Sequence, residues 1–242
     1  MKTPALTILL AALALALAAC DSKKKPATPA TPRETALRDG DMPLLPVTKG
    51  DAWIYDVRLE IPAGVTSPGA AAVNTRHTRT RSYLGKISAA EGLPETDCFE
   101  VTVPGTPAER EFVEIHDDRI LMRGSLIMRQ ETIKPMWLDT PVPFVIAGMK
   151  PGTLLPEFSA DGGLTRKVQV IAREDITVHA GTFHCIRLLT TGSDGDIELR
   201  RITWFAPGKG IIREEKTRYR GDNLLFRETQ ELAELRRVST AQ

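Results

Sequence analysis

The chain has 242 residues, 32 of them Lys or Arg and 31 Asp or Glu, for a formal charge of +1. So even a balance leaves no basic surface of the kind nucleic acid demands, and excludes nucleic acid as a partner. Beyond the N-terminal segment no apolar run approaches the ~20 residues of a spanning helix, and roughly 200 residues remain for one large β domain or two small halves.

In chain order, Met1 and Lys2 open a short positive segment, and Ala5 to Ala19 is apolar apart from Thr7. That is the length of a secretory signal and too short to span a bilayer. Leu17-Ala18-Ala19-Cys20 then resembles the cleavage site of bacterial lipoproteins. The resemblance implies that the Cys20 thiol carries a diacylglycerol, that cleavage leaves Cys20 first, and that acyl chains such as palmitate hold the protein at a membrane. Small residues give a peptidase access to the backbone, and a thiol is required for the thioether. Two or three chains anchor stably at ~0.8 kcal/mol per buried CH₂. Lys23, Lys24 and Lys25 follow, beside the headgroups. "PATPATP", Pro26 to Pro32, lacks backbone donors and fixes φ, so it makes an extended tether. The expected location is the cell membrane, lipid-anchored, facing the periplasm or exterior.

From Met42 onward the patterns are those of strands. "AWIYDVRLEI" alternates Trp53, Tyr55, Val57, Leu59 and Ile61 with polar neighbours, and "CFEVTV", "REFVEI" and "RKVQVIA" share the period of two. "SDGD", a hairpin signal centred on Asp194-Gly195, "HDD", "APGKG" and "YRGDN" are turns. "RETQELAELRRV" fits either a helix or a last strand. "KPMWLDTPVPFVIAGMKPG" has too many prolines for either element and is expected to cross between halves as an extended connector.

Two halves are visible. Arg79 to Val103 matches Leu164 to Thr190, each with an alternating strand, a turn and a strand holding a cysteine. "EREFVEIHDDRILMRG" matches "ELRRITWFAPGKGIIREE" in the same way. A loop insertion, "PAGVTSPGAAAVNTRH", separates their lengths. The fold class expected is all-β, an antiparallel, strongly curved sheet or open barrel of two similar meanders with little helix. Its segments are a signal peptide over 1–19, lipidated cysteine and tether over 20–41, a first repeat over 42–134 with its insertion at 62–77, a connector and second repeat over 135–235, and a disordered tail over 236–242.

With Cys20 lipidated, two cysteines remain. Cys98 and Cys185 could pair in an oxidising compartment, or each could be a small buried hydrophobe. Equivalent places in two repeats lie several strands apart, each step ~4.8 Å, whereas a disulfide needs Cα atoms within ~7 Å, so a disulfide is not expected.

"LPVTKGDAWIYDV", "ITVHAGTFHCIRL" and "WFAPGKGIIREE" resemble the PLxxGxxWxY, AGTFxCxxL and W[FY]APGxGxxxxE segments of a group of bacterial envelope lipoproteins. The resemblance implies antiparallel strands in a curved sheet and no established activity. More weakly, the plan is similar to half-barrel lipoprotein carriers, which shield acyl chains in a concave apolar face.

Candidate chemistry is sparse. His116, His179, His184 and Cys185 have the wrong spacing for a metal centre, and no CxxC or HExxH accompanies them. Asp117, Asp118, Asp194 and Asp196 sit in turns, where Asp bonds the local backbone. There is no GxSxG, P-loop or dinucleotide fingerprint, so no catalytic residue, metal or cofactor is expected. Trp53 and Trp204 read as core aromatics. Met136, Trp137 and Phe144 cap the sheet or form the lip of an apolar cleft. The expected role is a non-enzymatic binding or scaffold domain with an envelope protein or apolar ligand as partner. The alternatives are a carrier of a lipid or other apolar ligand, and a hydrolase with an unrecognised site.

Overall fold

The computed structural model describes residues 43–128, 136–159 and 165–239. The expected signal peptide, Cys20 and the expected tether lie outside the described residues, as do 129–135, 160–164 and 240–242. The described chain is all-β, with no helix. Its strands are β1 (Ala52–Ile61), β2 (Val73–Ser88), β3 (Glu95–Thr102), β4 (Glu109–Ile115), β5 (Arg119–Ile127) and β6 (Met136–Ile146), then β7 (Phe158–Ser159), β8 (Thr165–Val178), β9 (Gly181–Asp194), β10 (Ile197–Ala206), β11 (Gly210–Arg220) and β12 (Asn223–Arg236).

All twelve form one antiparallel sheet in the order β6-β5-β4-β3-β2-β1-β12-β11-β10-β9-β8-β7. Each half is thus a six-strand meander, and the halves join where β1 pairs with β12. Cys98 falls on the third strand of the first meander and Cys185 on the third of the second. Both are free and fully buried. Burial pushes the Cys98 thiol up to about 11 and the Cys185 thiol up to about 12.

The sheet curls into a nearly closed barrel. Register shifts interrupt seven of the eleven strand pairings, and each adds local twist and bend. The curl brings Phe144 of β6 against Phe205 of β10, ring centroids 6.1 Å apart. The segment before β1 closes one end. Leu44 donates its N–H to Asp117 O at the β4–β5 turn, and Gly208 at the β10–β11 turn donates to Leu44 O. Leu44 and Leu45 are buried there. The other end carries the tips of the β1–β2, β3–β4, β9–β10 and β11–β12 hairpins. Two of these are two-residue turns, Gly195-Asp196 and Gly221-Asp222, whose glycines take φ of +60° and +53°.

Four expectations change. The Pro-rich connector is the edge strand β6, with Pro143 opposite Leu121. An edge position tolerates the missing proline donor, which would break an interior ladder. Of the two readings left open for "RETQELAELRRV", the strand is the one found, at the centre of the sheet. The hairpin of "SDGD" turns one residue later than expected. The insertion ends at residue 72, because Val73 to His77 pair with β1. The chain also stays anchored past the expected start of the tail: Arg236 ends β12, while Arg237 and the Val238 N–H bond Asp51 at 2.8 Å.

Residues 62–72 fold on themselves, with Gly64 N–H donating to Ala70 O. Deleting Gly64 to Gly69 should shift the thermal midpoint by less than ~4 °C, about 1 kcal/mol for a domain of this size, because closure entropy varies slowly with loop length. A larger fall in a melting curve would mean that this loop supports the barrel.

Candidate functional site

The inner wall is built by strands whose every second residue points inward. From β2 come His77, Arg79 and Arg81, from β4 Glu109, Glu111 and Val113, from β10 Arg201 and Phe205, and from β11 Glu214 and Lys216. They enclose a cavity of about 350 Å³, within the range of small-ligand sites.

The cavity has two zones. Toward the closed end the wall is apolar: Leu45, Phe99, Val113, Met122, Phe144 and Phe205. Trp53 and Tyr55 support this floor. Trp53 Nε1 donates to Lys209 O at 2.6 Å, and Tyr55 O–H donates to Ile211 O at 3.0 Å. Burial raises the Tyr55 phenol, so it stays a neutral donor. Toward the open hairpin end the wall is charged on β2, β4, β10 and β11, while Val101, Val103 and Pro107 at the β3–β4 hairpin keep one side of it apolar.

In the charged zone acids and bases alternate between strands. Arg79 grips Glu228 through both carboxylate oxygens, at 2.8 and 2.7 Å, and also donates to Gln230 Oε1 at 2.6 Å. Arg81 donates to Glu111 at 2.8 Å and lies 3.6 Å above the Phe99 ring. Glu214, with a side chain 4 % exposed, meets Lys216 at 3.0 Å and Arg201 at 3.7 Å. It also accepts from Thr203 O–H at 3.1 Å. Burial alone would raise Glu214, but Arg201 and then Lys216 outweigh it and hold the carboxyl at about 2. Burial is likewise outweighed at Glu228, mainly by the Arg79 hydrogen bond, and at Glu111 by Arg81, so both sit below the usual carboxylate range. Glu109 goes the other way: burial, then the Glu111 charge, raise it.

The residues singled out in the sequence scatter. Phe144 reaches the cavity, but Trp137 packs on Phe112 at 6.0 Å, in a cluster with Cys98 and Leu126 on the opposite face of the sheet. Met136 is 49 % exposed. The three do not make one lip, because successive strand residues face opposite ways and the β5–β6 register breaks between Met122 and Gly124. A Cβ on Gly124 would overlap the Met136 carbonyl, so this crossing needs glycine.

His184 Nδ1 bonds Asp175 at 2.8 Å on the surface, His116 lies 3.5 Å from Glu114, and His179 is exposed near the β8–β9 turn. Among the described residues no three His, Cys, Asp or Glu converge as metal ligands. The main-chain carbonyls of Asp117 and Asp118 accept the N–H groups of Leu44 and Ala147, and the Asp196 carboxylate pairs with Arg220 at 2.8 Å. The charged zone went unnoticed in the sequence. Its signal was present in "HTRTRSY", where His77, Arg79 and Arg81 recur at strand period.

No known family profile matches the chain, and no curated protein matches it. Two solved structures are similar to it. One is a candidate exported protein with a YmcC-like fold from Bacteroides fragilis, with TM-score 0.47 and 11% identity, aligned over 81% of this chain and 100% of that one. The other is a candidate lipoprotein from Parabacteroides distasonis, with TM-score 0.45 and 14% identity, aligned over 81% of this chain and 99% of that one. Neither similarity reaches the level from which a role follows.

Chemically, the wall can hold and orient a ligand. Glu111, Glu214 and Glu228 are each engaged by a cation, whereas Glu109, raised by burial and by the Glu111 charge, has no ion pair among the described residues.

Proposed function

We propose that this chain is a lipid-anchored bacterial envelope protein whose curved sheet binds a small amphiphilic ligand without transforming it. The observation that carries the reading is the cavity itself: about 350 Å³, apolar at the closed end and, toward the open one, charged on every side but the β3–β4 hairpin. A scaffold needs no such space, and a purely apolar carrier has no use for buried Arg–Glu pairs, each of which costs desolvation. Native mass spectrometry of the protein purified from its own host tests it. A co-purified small molecule lost on unfolding supports the reading. An empty cavity in protein from every growth condition counts against it.

The anchoring half of the proposal rests on Leu17 to Cys20 and the tether. Cys20→Ala should move the protein from the membrane fraction and abolish incorporation of a palmitate analogue. Label retained in that variant would rule out lipidation at Cys20.

A further inference from the structure

The charged wall holds more cations than its carboxylates can pair. Arg79 is taken by Glu228, Arg81 by Glu111, and Lys216 by Glu214 and Glu228. Arg201 comes within ion-pair distance only of the already shared Glu214, at 3.7 Å, and the one remaining wall carboxyl, Glu109, feels the fields of Lys216, Arg79 and Arg201 without an ion pair to any of them. Arg166 has no ion pair among the described residues. Arg218 has none either, and its guanidinium lies 5.7 Å from the Phe226 ring centroid.

Register brings these three together. Arg166 lies opposite Gly192, Gly192 opposite Leu199, and Leu199 opposite Arg218. Residues directly opposite share a face. Arg201 is two residues from Leu199, and Arg166 is two from the core residue Val168, so all three arginines stand on the inner face; Arg201 lines the cavity, while half-buried Arg166 and exposed Arg218 stand beyond that lining. Arg166 and Arg218 lie one layer nearer the open hairpin end than Arg201, and Gly192 puts no side chain between β8 and β10. Burial, then the fields of Arg201 and Arg218, pull the Arg166 guanidinium below its ordinary value. Like charges held this way repel, and a bound anion relieves the repulsion. Guanidinium forks suit the paired oxygens of phosphate or carboxylate.

We propose that Arg166, Arg201 and Arg218 form an oxyanion-recognition site at the mouth of the cavity, and that the ligand is an amphiphile whose anionic head sits there while its apolar part reaches Phe144 and Phe205. This rests on the reading of the cavity as a ligand site. Arg201 and Phe205 are four residues apart on β10, about 13 Å along a strand, so head and tail contacts belong to one short molecule.

The test is equilibrium dialysis of octyl phosphate and of octan-1-ol against the full chain in phosphatidylcholine nanodiscs, with empty nanodiscs as the blank. Octyl phosphate should bind saturably and about tenfold tighter than octanol, the scale of one charge-assisted hydrogen bond. Arg166→Gln and Arg218→Gln should each abolish that preference while leaving octanol binding unchanged. Neither should lower the thermal midpoint, because each removes an unpaired like charge; a merely structural arginine would lower it. Arg200→Gln, on the other parity of β10, should change nothing. Equal binding of the two probes, or binding indifferent to Arg166 and Arg218, overturns the anion site but leaves the cavity reading standing. Failure of both probes to bind overturns the cavity reading and this site with it.

Discussion

Trp53→Ala should lower the thermal midpoint by about 10–15 °C, from the ~3–5 kcal/mol cost of emptying a large aromatic site and the ~2–4 °C per kcal/mol expected at this size. Trp53 is wholly buried. It stands on β1, where the two meanders meet, and its indole N–H reaches across to Lys209 O on the β10–β11 turn. Its ring meets Phe99 edge-on at 5.7 Å, and the Arg237 guanidinium lies 5.1 Å from its centroid. One side chain therefore ties β1, β3, the β10–β11 turn and the C-terminal segment. The site cannot collapse to fill the gap, because Gly210 already packs close: a Cβ there would be 3.2 Å from the indole. Trp53→Phe should recover part of the loss but not the hydrogen bond. A fall under ~5 °C for Trp53→Ala, measured by calorimetry, would show that the closed end is held by other contacts.

Strand period, hairpin turns and the two-meander plan were legible in the sequence because they are local. Trp53, Tyr55 and Val57 alternate with a polar outer face, and such a strand declares its inside. The duplication survives as Cys98 on β3 and Cys185 on β9. The inner charged wall was not legible, for a definite reason. In "NTRHTRTRSY" both faces are polar, so the period of two cannot say which face is buried, and a one-residue slip would exchange them. Glu228 and Gln230 hide β12 in the same way: they point inward, so its buried positions look like the exposed face of a helix. The edge strand β6 was concealed by Pro141 and Pro143, which forbid an interior strand but not an edge. Which strands meet where the halves join is a matter of long-range pairing, and nothing local specifies β1 against β12.

The buried charges also bear on how the barrel should respond to acid. The Glu214 carboxyl has a folded value of about 2, against an ordinary value of 4.5. A carboxyl lowered by folding stabilises the fold at pH above its unfolded value, and that contribution is lost as pH falls through the folded value. The window is therefore from about pH 4.5 down to about 2. The contribution is about 3 kcal/mol at neutral pH and under half of that at pH 3. Glu214→Gln keeps the shape and the Thr203 contact but leaves Lys216 and Arg201 facing a neutral group. It should cost about 3 kcal/mol at pH 7, as loss of one partner from a buried ion pair does. The cost should shrink as pH falls, because below the window the native carboxyl is protonated too and the two proteins become alike at this position. Urea midpoints for both proteins at pH 7, 5 and 3 decide the matter. A gap that stays constant from pH 7 to pH 3 would mean that Glu214 contributes by packing or hydrogen bonding. A gap absent at pH 7 would mean that Arg201 and Lys216 find water or other acids, and that the charged wall is looser than its distances suggest.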